Sequence, residues 1–377
     1  MSNNQVLSDL IKFRNENIKD NRDSSLIYIS TANMNPERNG VSLEDNDSLG
    51  KSGKKFYKGD VLVSNIRPYF KKIWKADRDG ISSADVLNFI PIEEDMIDKT
   101  YLYYLLSADT FFGYMTATAK GTKMPRGDKK ALEKYEVRSL KLSEQKLIAN
   151  ILSSFDDKIE NNNAIIANLE EQAQTIFKSW FVDFEPFQDG KFKESELGLI
   201  PEIFSVIPFE NFVSVSSGKR KKNSEKSEEN IYPIIGATKI TGYTNDYLFD
   251  NKVIITGRVG TLGTFQIYNS RIWPSDNTLI LSSDYFGYTY FSLNQINFLS
   301  LNRGSTQPLV SQKDIKNYKT VFPDTKWLQQ FEEIMNPIFD YYWRLEKENK
   351  KLAETRDILL PKLMSGEIRL EEATEVN

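Results

Sequence analysis

Cysteine and histidine are both missing from the 377 residues. Without cysteine there are no disulfides and no thiolate nucleophiles; without histidine there is no Ser-His-Asp triad, and the common zinc sites go too. A cysteine-free chain fits a reducing cytoplasm. Long hydrophobic runs are also missing. No apolar stretch approaches the roughly 20 residues that span a bilayer, and MSNNQVLSDLIKF lacks the charged-then-apolar order of a signal peptide. The expectation is a soluble cytoplasmic protein with no membrane partner. Positive charge is not in excess either. The net charge is -4 and the pI about 5.4, whereas a nucleic-acid-binding domain is usually basic. At 43.5 kDa the chain is long enough for two domains with sizeable cores.

What is present is a pair of long amphipathic segments. In Ser143 to Phe181 the residues Ile148, Leu152, Phe155, Ile159, Asn162, Ile166, Leu169, Ala173, Ile176 and Trp180 recur at alternating gaps of four and three. That is the a/d seam of a heptad repeat. Ser143 suits the N-cap and Glu144 the positive end of the helix dipole, while Leu142 and Leu147 are placed for a hydrophobic staple. No proline or glycine interrupts before Pro186, so the spacing predicts a rod about 55 Å long. Trp327 to Leu363 repeats the rhythm through Phe331, Met335, Ile338, Tyr342, Leu345, Asn349, Leu352, Arg356, Leu359 and Leu363. Asn162 and Asn349 each put one polar residue in a seam, a device that fixes register.

The residues before each segment repeat as well. GTKMPRGDKKALEKYEV (121–137) parallels GSTQPLVSQKDIKNYKTV (304–321), pairing Pro125 with Pro308, Lys130 with Lys313, Leu132 with Ile315 and Tyr135 with Tyr318. Two copies of one unit are predicted, each a globular part followed by a long helix.

On these residues the chain resembles the specificity subunits of type I restriction-modification systems. The resemblance is carried by LSEQKLIANILSSFDDKIENNNAIIANLEEQAQTIFKSWFVDF, by LLPKLMSGEI (359–368), by the two domain-closing stretches above, and by the strand-turns GDVLVSNIRP (59–68) and VIITGRVGTLG (253–263). It implies an α+β chain of two globular target-recognition domains of mixed strands and helices, separated by two long helices in an antiparallel coiled coil. The implied divisions are 1–141 and 183–324 for the two domains, 142–182 for the central helix and 325–377 for the C-terminal helix and tail.

Charge is distributed unevenly. Lys51, Lys54, Lys55, Lys58, Arg67, Lys71, Lys72 and Lys75 face only Asp60 in their stretch, and Lys120, Lys123, Arg126, Lys129 and Lys130 form a second group. Phosphate contacts need local positive charge, not a basic chain. The candidate DNA contacts are Arg67, Lys71, Lys72, Lys123 and Arg126 in the first domain and Lys219, Arg220, Arg258, Arg303 and Gln307 in the second. Arg126 and Arg303 suit guanine and Gln307 suits adenine. Lys221 and Lys222, in the low-complexity stretch SGKRKKNSEKSEEN, extend a phosphate-following run.

Read in order, Val6 to Phe13 is predicted as a short helix. SLIYIS, KFYKGDVLVSNI and SADVLNFI are predicted as strands, and DKTYLYYLLSADTFFGYM as one helix. VDFEPFQDGKFKESELGLIPE reads as a connector into the second domain. There, IYPIIGATKITGYTNDYLF reads as strand, loop, strand, and SDNTLIL as the counterpart of SADVLNF. Gly257 to Gly263 fits neither a P-loop nor a strict GxGxxG and is read as a tight turn carrying Arg258. Asn336-Pro337-Ile338-Phe339 resembles an adenine-methyltransferase tetrapeptide, but it lacks the second proline and lies on a heptad helix. Asp324, Glu348 and Lys350 meet only a loose nuclease spacing.

The sequence therefore reads as a binder, with no catalytic, cofactor or metal residues of its own. Its implied partners are double-stranded DNA, two methyltransferase subunits using S-adenosylmethionine, and two motor-nuclease subunits using ATP and Mg. Lys158, Glu160, Asn163, Glu170, Glu171 and Gln174 are outward positions suited to docking them. Two alternatives stay open at this point: a coiled-coil scaffold binding proteins only, and a specificity module split from a fused restriction-methylation enzyme. If the rods act as a ruler, removing the heptad Ile159 to Ile165 with a matching cut in the second helix changes half-site spacing and spares each half-site.

Overall fold

The computed structural model describes residues 4–43, 48–222, 231–298, 300–301 and 308–370. By packing the chain divides into two compact units: residues 1–161 with 348–377, and residues 162–347.

The first unit runs β1 (Asn4–Val6), β2 (Ile11–Phe13), β3 (Asn17–Ile18), β4 (Ile27–Ile29), β5 (Gly53–Phe56), β6 (Val61–Ser64), β7 (Ile73–Lys75), β8 (Gly80–Ser82) and β9 (Val86–Pro91). Then follow α1 (Lys99–Ser107), α2 (Asp109–Ala117), α3 (Lys129–Leu132), β10 (Glu136–Arg138) and the start of α4 (Leu142–Phe181). One antiparallel sheet has the order β2-β9-β6-β7 and a mixed sheet the order β3-β5-β8-β4, with β4 parallel to β8. β6 is buried throughout. Val61 and Val63 join the larger core with α1, α2 and α4, while Leu62 joins Phe56 and Trp74 in a smaller one. A strand packed on both faces reads as a continuous apolar run, as VLV does.

Four local expectations change here, the first being that KFYKGDVLVSNI is divided between β5 and β6 in separate sheets. Val6 to Phe13 is two short strands around a 3-10 turn, because Gln5 and Val6 pair with Val137 and Glu136, and Ile11 pairs with Pro91. The single helix predicted for DKTYLYYLLSADTFFGYM is broken at Ala108, which is extended (φ -63°, ψ 144°). Asp98 caps α1 by accepting from the Thr100 and Tyr101 N–H groups, which fixes that start. The long helix begins one residue before Ser143: the Gln145 N–H donates to the Lys141 carbonyl and the Lys141 N–H to the Glu144 carboxylate at 3.1 Å. Glu144 thus supplies half of a capping box and draws Ser143 into the first turn.

The second unit runs β11 (Phe192–Ser195), β12 (Gly198–Pro201), β13 (Ser205–Pro208), β14 (Ser214–Ser217), β15 (Tyr232–Ile235), β16 (Ile240–Thr244), β17 (Lys252–Gly257), β18 (Phe265–Asn269), β19 (Trp273–Pro274) and β20 (Thr278–Ser282). Then come α5 (Phe286–Asn294), α6 (Gln312–Lys316), β21 (Lys319–Phe322) and α7 (Thr325–Ser365), whose last turns belong to the first unit. The antiparallel sheet β14-β20-β17-β18 has the same strand order as β2-β9-β6-β7, and β13-β21 stands where β1-β10 does. The predicted duplication is therefore present in the topology. The connector after α4 carries an added hairpin, β11-β12.

Within each unit α4 and α7 pack with opposite chain directions. In the first, Lys158 pairs with Glu348 and Asp156 with Arg356, and Ile148 and Leu152 share a core with Leu360 and Leu363. In the second, Trp180 meets Trp327 (5.7 Å between rings) and Phe177 meets Phe331. Seam residues Leu152, Asn162, Phe331 and Met335 are fully buried.

The second unit also brings two carboxylates, Glu170 and Glu346, close enough to repel. Burial pushes both up, and at Glu170 the Glu346 charge adds to it. A carboxyl with a raised folded-state value stabilises most below its ordinary value near 4.5 and loses that contribution as pH rises through the raised value. Both side chains remain partly in solvent, so the effect is small. Glu346→Gln is expected to raise Tm at pH 7 by about 1 °C, a gain that disappears below pH 4.5. A pH-independent difference in thermal scans would remove the repulsion from the account.

Candidate nucleic-acid interface

In the first unit three loops are knitted around the end of β6. The Asn65 N–H donates to the Asp85 carbonyl (2.8 Å), Ile66 bridges to Arg126, and the Arg67 N–H donates to the Pro125 carbonyl (2.8 Å). Pro68 to Phe70 form a 3-10 turn, after which the Glu37 and Arg38 N–H groups donate to the carbonyls of Phe70 and Lys71. Arg67, Lys71, Lys72 and Arg126 are thereby placed on one set of interlocked loops, with Lys123 on the exposed part of the third.

Their side chains are not equivalent. Lys71 pairs with Asp109 at 2.9 Å and lies 3.9 Å from Glu37. The Lys71 ammonium in turn holds the Asp109 carboxyl below its usual range. Lys72 donates to the Thr31 carbonyl at 2.8 Å, and burial holds its ammonium below the ordinary value. Arg126 pairs with Asp85 at 3.2 Å. Arg67 and Lys123 are exposed. Arg67 and Lys72 line a hollow of about 300 Å³ with Thr31, Phe70 and Met124.

Sequence reasoning passed over three residues here. Arg38 donates to the Ser107 carbonyl at 2.6 Å and pairs with Asp109. Tyr69 and Met124 are large apolar side chains left 47 % and 46 % exposed. Only Tyr69 had a signal, since an aromatic directly after an Arg-Pro turn has little chance to reach a core.

In the second unit the same frame recurs. The Arg258 N–H donates to the Asn277 carbonyl (3.0 Å), the Val310 N–H to the Arg258 carbonyl (3.0 Å), Val259 bridges to Leu309, and the Gly260 N–H donates to the Pro308 carbonyl (2.9 Å). Since Gly127 likewise donates to Asn65, the counterpart of Arg258 is Asn65, and that of Arg67 is Gly260. Gly257 to Gly263 is the expected turn, with positive φ at Gly260 and Gly263. Arg258 is half-buried, and its Nε has no hydrogen-bond partner among the described residues.

Lys219, Arg220 and Lys222 are exposed on the loop after β14, which the Trp273 indole anchors by donating to the Lys219 carbonyl at 2.8 Å. Lys221 is different. Its ammonium sits 3.9 Å from the centre of the Trp273 ring and 3.1 Å from Asp246, with the side chain 6 % exposed. A lysine held this way on an aromatic face is a strut for the loop, not a phosphate contact. Arg303 and Gln307 lie outside the described residues.

Residues 7–171 and 201–355 match the family described as "Type I restriction modification DNA specificity domain", one match on each repeat. The chain belongs to that family. Among its relatives is the Type I restriction enzyme MjaIX specificity subunit of Methanocaldococcus jannaschii, 28% identical, the match covering 94% of this chain and 86% of the relative. The Type I restriction enzyme HindI specificity subunit of Haemophilus influenzae is 23% identical over 85% of this chain and 89% of the relative. The fold is similar to the crystal structure of a type I restriction-modification system S subunit from M. genitalium, with TM-score 0.61 and 18% identity, covering 97% and 96% of the two chains.

Within this specificity-domain family member the two catalytic look-alikes have structural occupations. Asn336 accepts from Lys252 at 3.0 Å and Phe339 is buried against Phe286, both on the continuous helix α7. Asp324 caps α7 by accepting from the Lys326 N–H, whereas Glu348 and Lys350 lie far along the same helix, paired with Lys158 and Glu354. Among the described residues no three acidic side chains converge as a metal site, and no helix is long and apolar enough to cross a membrane.

Proposed function

We propose that the chain is the DNA-reading subunit of a type I restriction-modification complex in which each repeat reads one half of a split, asymmetric duplex target. The duplicated loop frame carries this reading. Two copies of one backbone arrangement present different side chains at the same places: Asn65 and Arg67 in one, Arg258 and Gly260 in the other. Equal frames with unequal side chains are what two different half-sites require. The contacts divide into phosphate anchors (Lys71, Lys72, Lys123, Lys219, Arg220) and groups suited to base edges (Arg67, Arg126, Arg258, Arg303, Gln307).

The chemistry is supplied by partners: two methyltransferase subunits using S-adenosylmethionine and two motor-nuclease subunits using ATP and Mg, within the cytoplasm. The exposed α4 residues Lys158, Glu160, Asn163, Glu170, Glu171 and Gln174 form the face that would dock them. The test is to express the chain with its methyltransferase subunit and map methylated bases in host DNA by single-molecule sequencing. A two-part motif with a fixed spacer is expected, and it disappears when the chain is deleted. Methylation that is unchanged by the deletion would refute the reading.

A further inference from the structure

Arg67 adopts a backbone conformation that its own side chain disfavours. Its φ is +49° and its ψ 63°, in the left-handed region, and it directly precedes Pro68. A side-chain-bearing residue pays for that region, and a residue before proline is driven toward extended backbone. The other repeat shows what the frame itself asks for: Gly260, with φ +83°, donating the same hydrogen bond to the matching proline carbonyl. A glycine therefore satisfies this place, and the first repeat keeps an arginine there at the cost of strain. Strain of this kind concentrates where function fixes a side chain.

The surroundings say what the arginine is kept for. Glu37 and Arg38 in the neighbouring turn and Lys71 at the end of the same 3-10 turn share left-handed backbone, but Arg38 and Lys71 are paired with Asp109. Lys72 and Arg126 are engaged with the Thr31 carbonyl and Asp85. The Arg67 guanidinium is exposed, at the rim of the hollow lined by Phe70 and Met124, and makes no hydrogen bond or ion pair with a described residue. A planar fork with all its donors free matches the O6 and N7 acceptors of guanine.

We infer that Arg67 is a specificity-determining residue that reads a guanine in the half-site of the first repeat, its strained backbone aiming the guanidinium. This rests on the reading of the repeats as DNA readers. The test compares the full chain, in complex with its methyltransferase subunit, as wild type, Arg67→Gly and Arg67→Lys on a randomised duplex pool. Methylated motifs are sequenced and the Tm of each chain is measured.

Arg67→Gly is expected to melt at or above the wild type, by up to about 2–4 °C. It should nonetheless lose one base preference, methylating the cognate site roughly 5- to 150-fold less, with the other half of the motif intact. Arg67→Lys keeps the charge without the fork and is expected to lose the same preference. If the glycine variant fails to fold, Arg67→Asn replaces it, since asparagine also accepts left-handed backbone.

A glycine variant that methylates the wild-type motif at the wild-type rate overturns the inference, and so does a lysine variant with full discrimination, which would show that the guanidinium fork is not what reads the base. A wild-type complex with no sequence preference is a separate result, which overturns the reading of the repeats and this inference together.

Discussion

Replacing Phe331 by alanine should destabilise the second unit by about 3–5 kcal/mol and lower its melting temperature by on the order of 10 °C. Phe331 is fully buried on α7. Its ring lies 5.0 Å from that of Phe181, 5.9 Å from Trp180 and 6.1 Å from Phe177, all on α4. Removing it forfeits the transfer free energy of a large aromatic and opens a cavity ringed by three others, which cannot collapse without moving α4 or α7. Ile358→Ala on the same helix is the control, because that side chain is 61 % exposed and its loss should stay within about 0.5 kcal/mol. Denaturant unfolding of both variants decides the matter. Equal midpoints would show that the helix pair does not depend on this aromatic cluster.

The second large effect is expected at Asp156, whose carboxylate accepts from the Tyr104 hydroxyl at 2.5 Å and is paired with Arg356. The three side chains join α1 to both long helices inside the first unit. Burial works against the Arg356 charge, but Asp156 and Asp357 outweigh it and hold the guanidinium above its ordinary value. Burial, then the Asp156 charge, raises the Tyr104 hydroxyl. Asp156→Ala leaves the buried Tyr104 hydroxyl without its acceptor and the largely buried Arg356 cation with Asp357 as its remaining acidic partner. The pair keeps 22 % and 30 % of its side-chain surface exposed, so the cost is below that of a fully buried ion pair, about 2–3 kcal/mol. Asp156→Asn still accepts from one donor and should lose roughly half as much. An asparagine variant as stable as the wild type would show that charge plays no part in the junction.

The heptad seams were legible because the signal is local. Alternating gaps of three and four leave one face apolar whatever else the chain does, so Leu152, Phe331 and Met335 could be placed in the core from spacing alone. The duplication was legible for the same reason: Pro125 and Pro308 are matched in sequence and turn out to accept matching hydrogen bonds. Arg356 shows the limit. Its seam position was visible, but the partner that makes a cation tolerable there lies 200 residues away at Asp156. The break at Ala108 was equally hidden, since every residue from Lys99 to Ala117 is compatible with helix or loop. Its neighbour Asp109 is held by Lys71 and Arg38 from another part of the unit.

The candidate interface divides along the same line. That lysines and arginines gather between 51 and 75 is a property of the chain. Which of them are already paired is not, and Lys71, Lys72, Arg126 and Lys221 are engaged only once their loops have met. By itself the sequence determined a duplicated α+β chain, two long helices with one buried seam each, and a family whose members are DNA specificity proteins. Only the tertiary structure decided that Arg67 stands where its twin is Gly260, and that its guanidinium stays open while Lys71 and Arg126 are paired with acids and Lys72 is held by a carbonyl. Periodicity and composition are written along the chain, whereas backbone strain and ion pairing depend on residues that folding brings together from far apart.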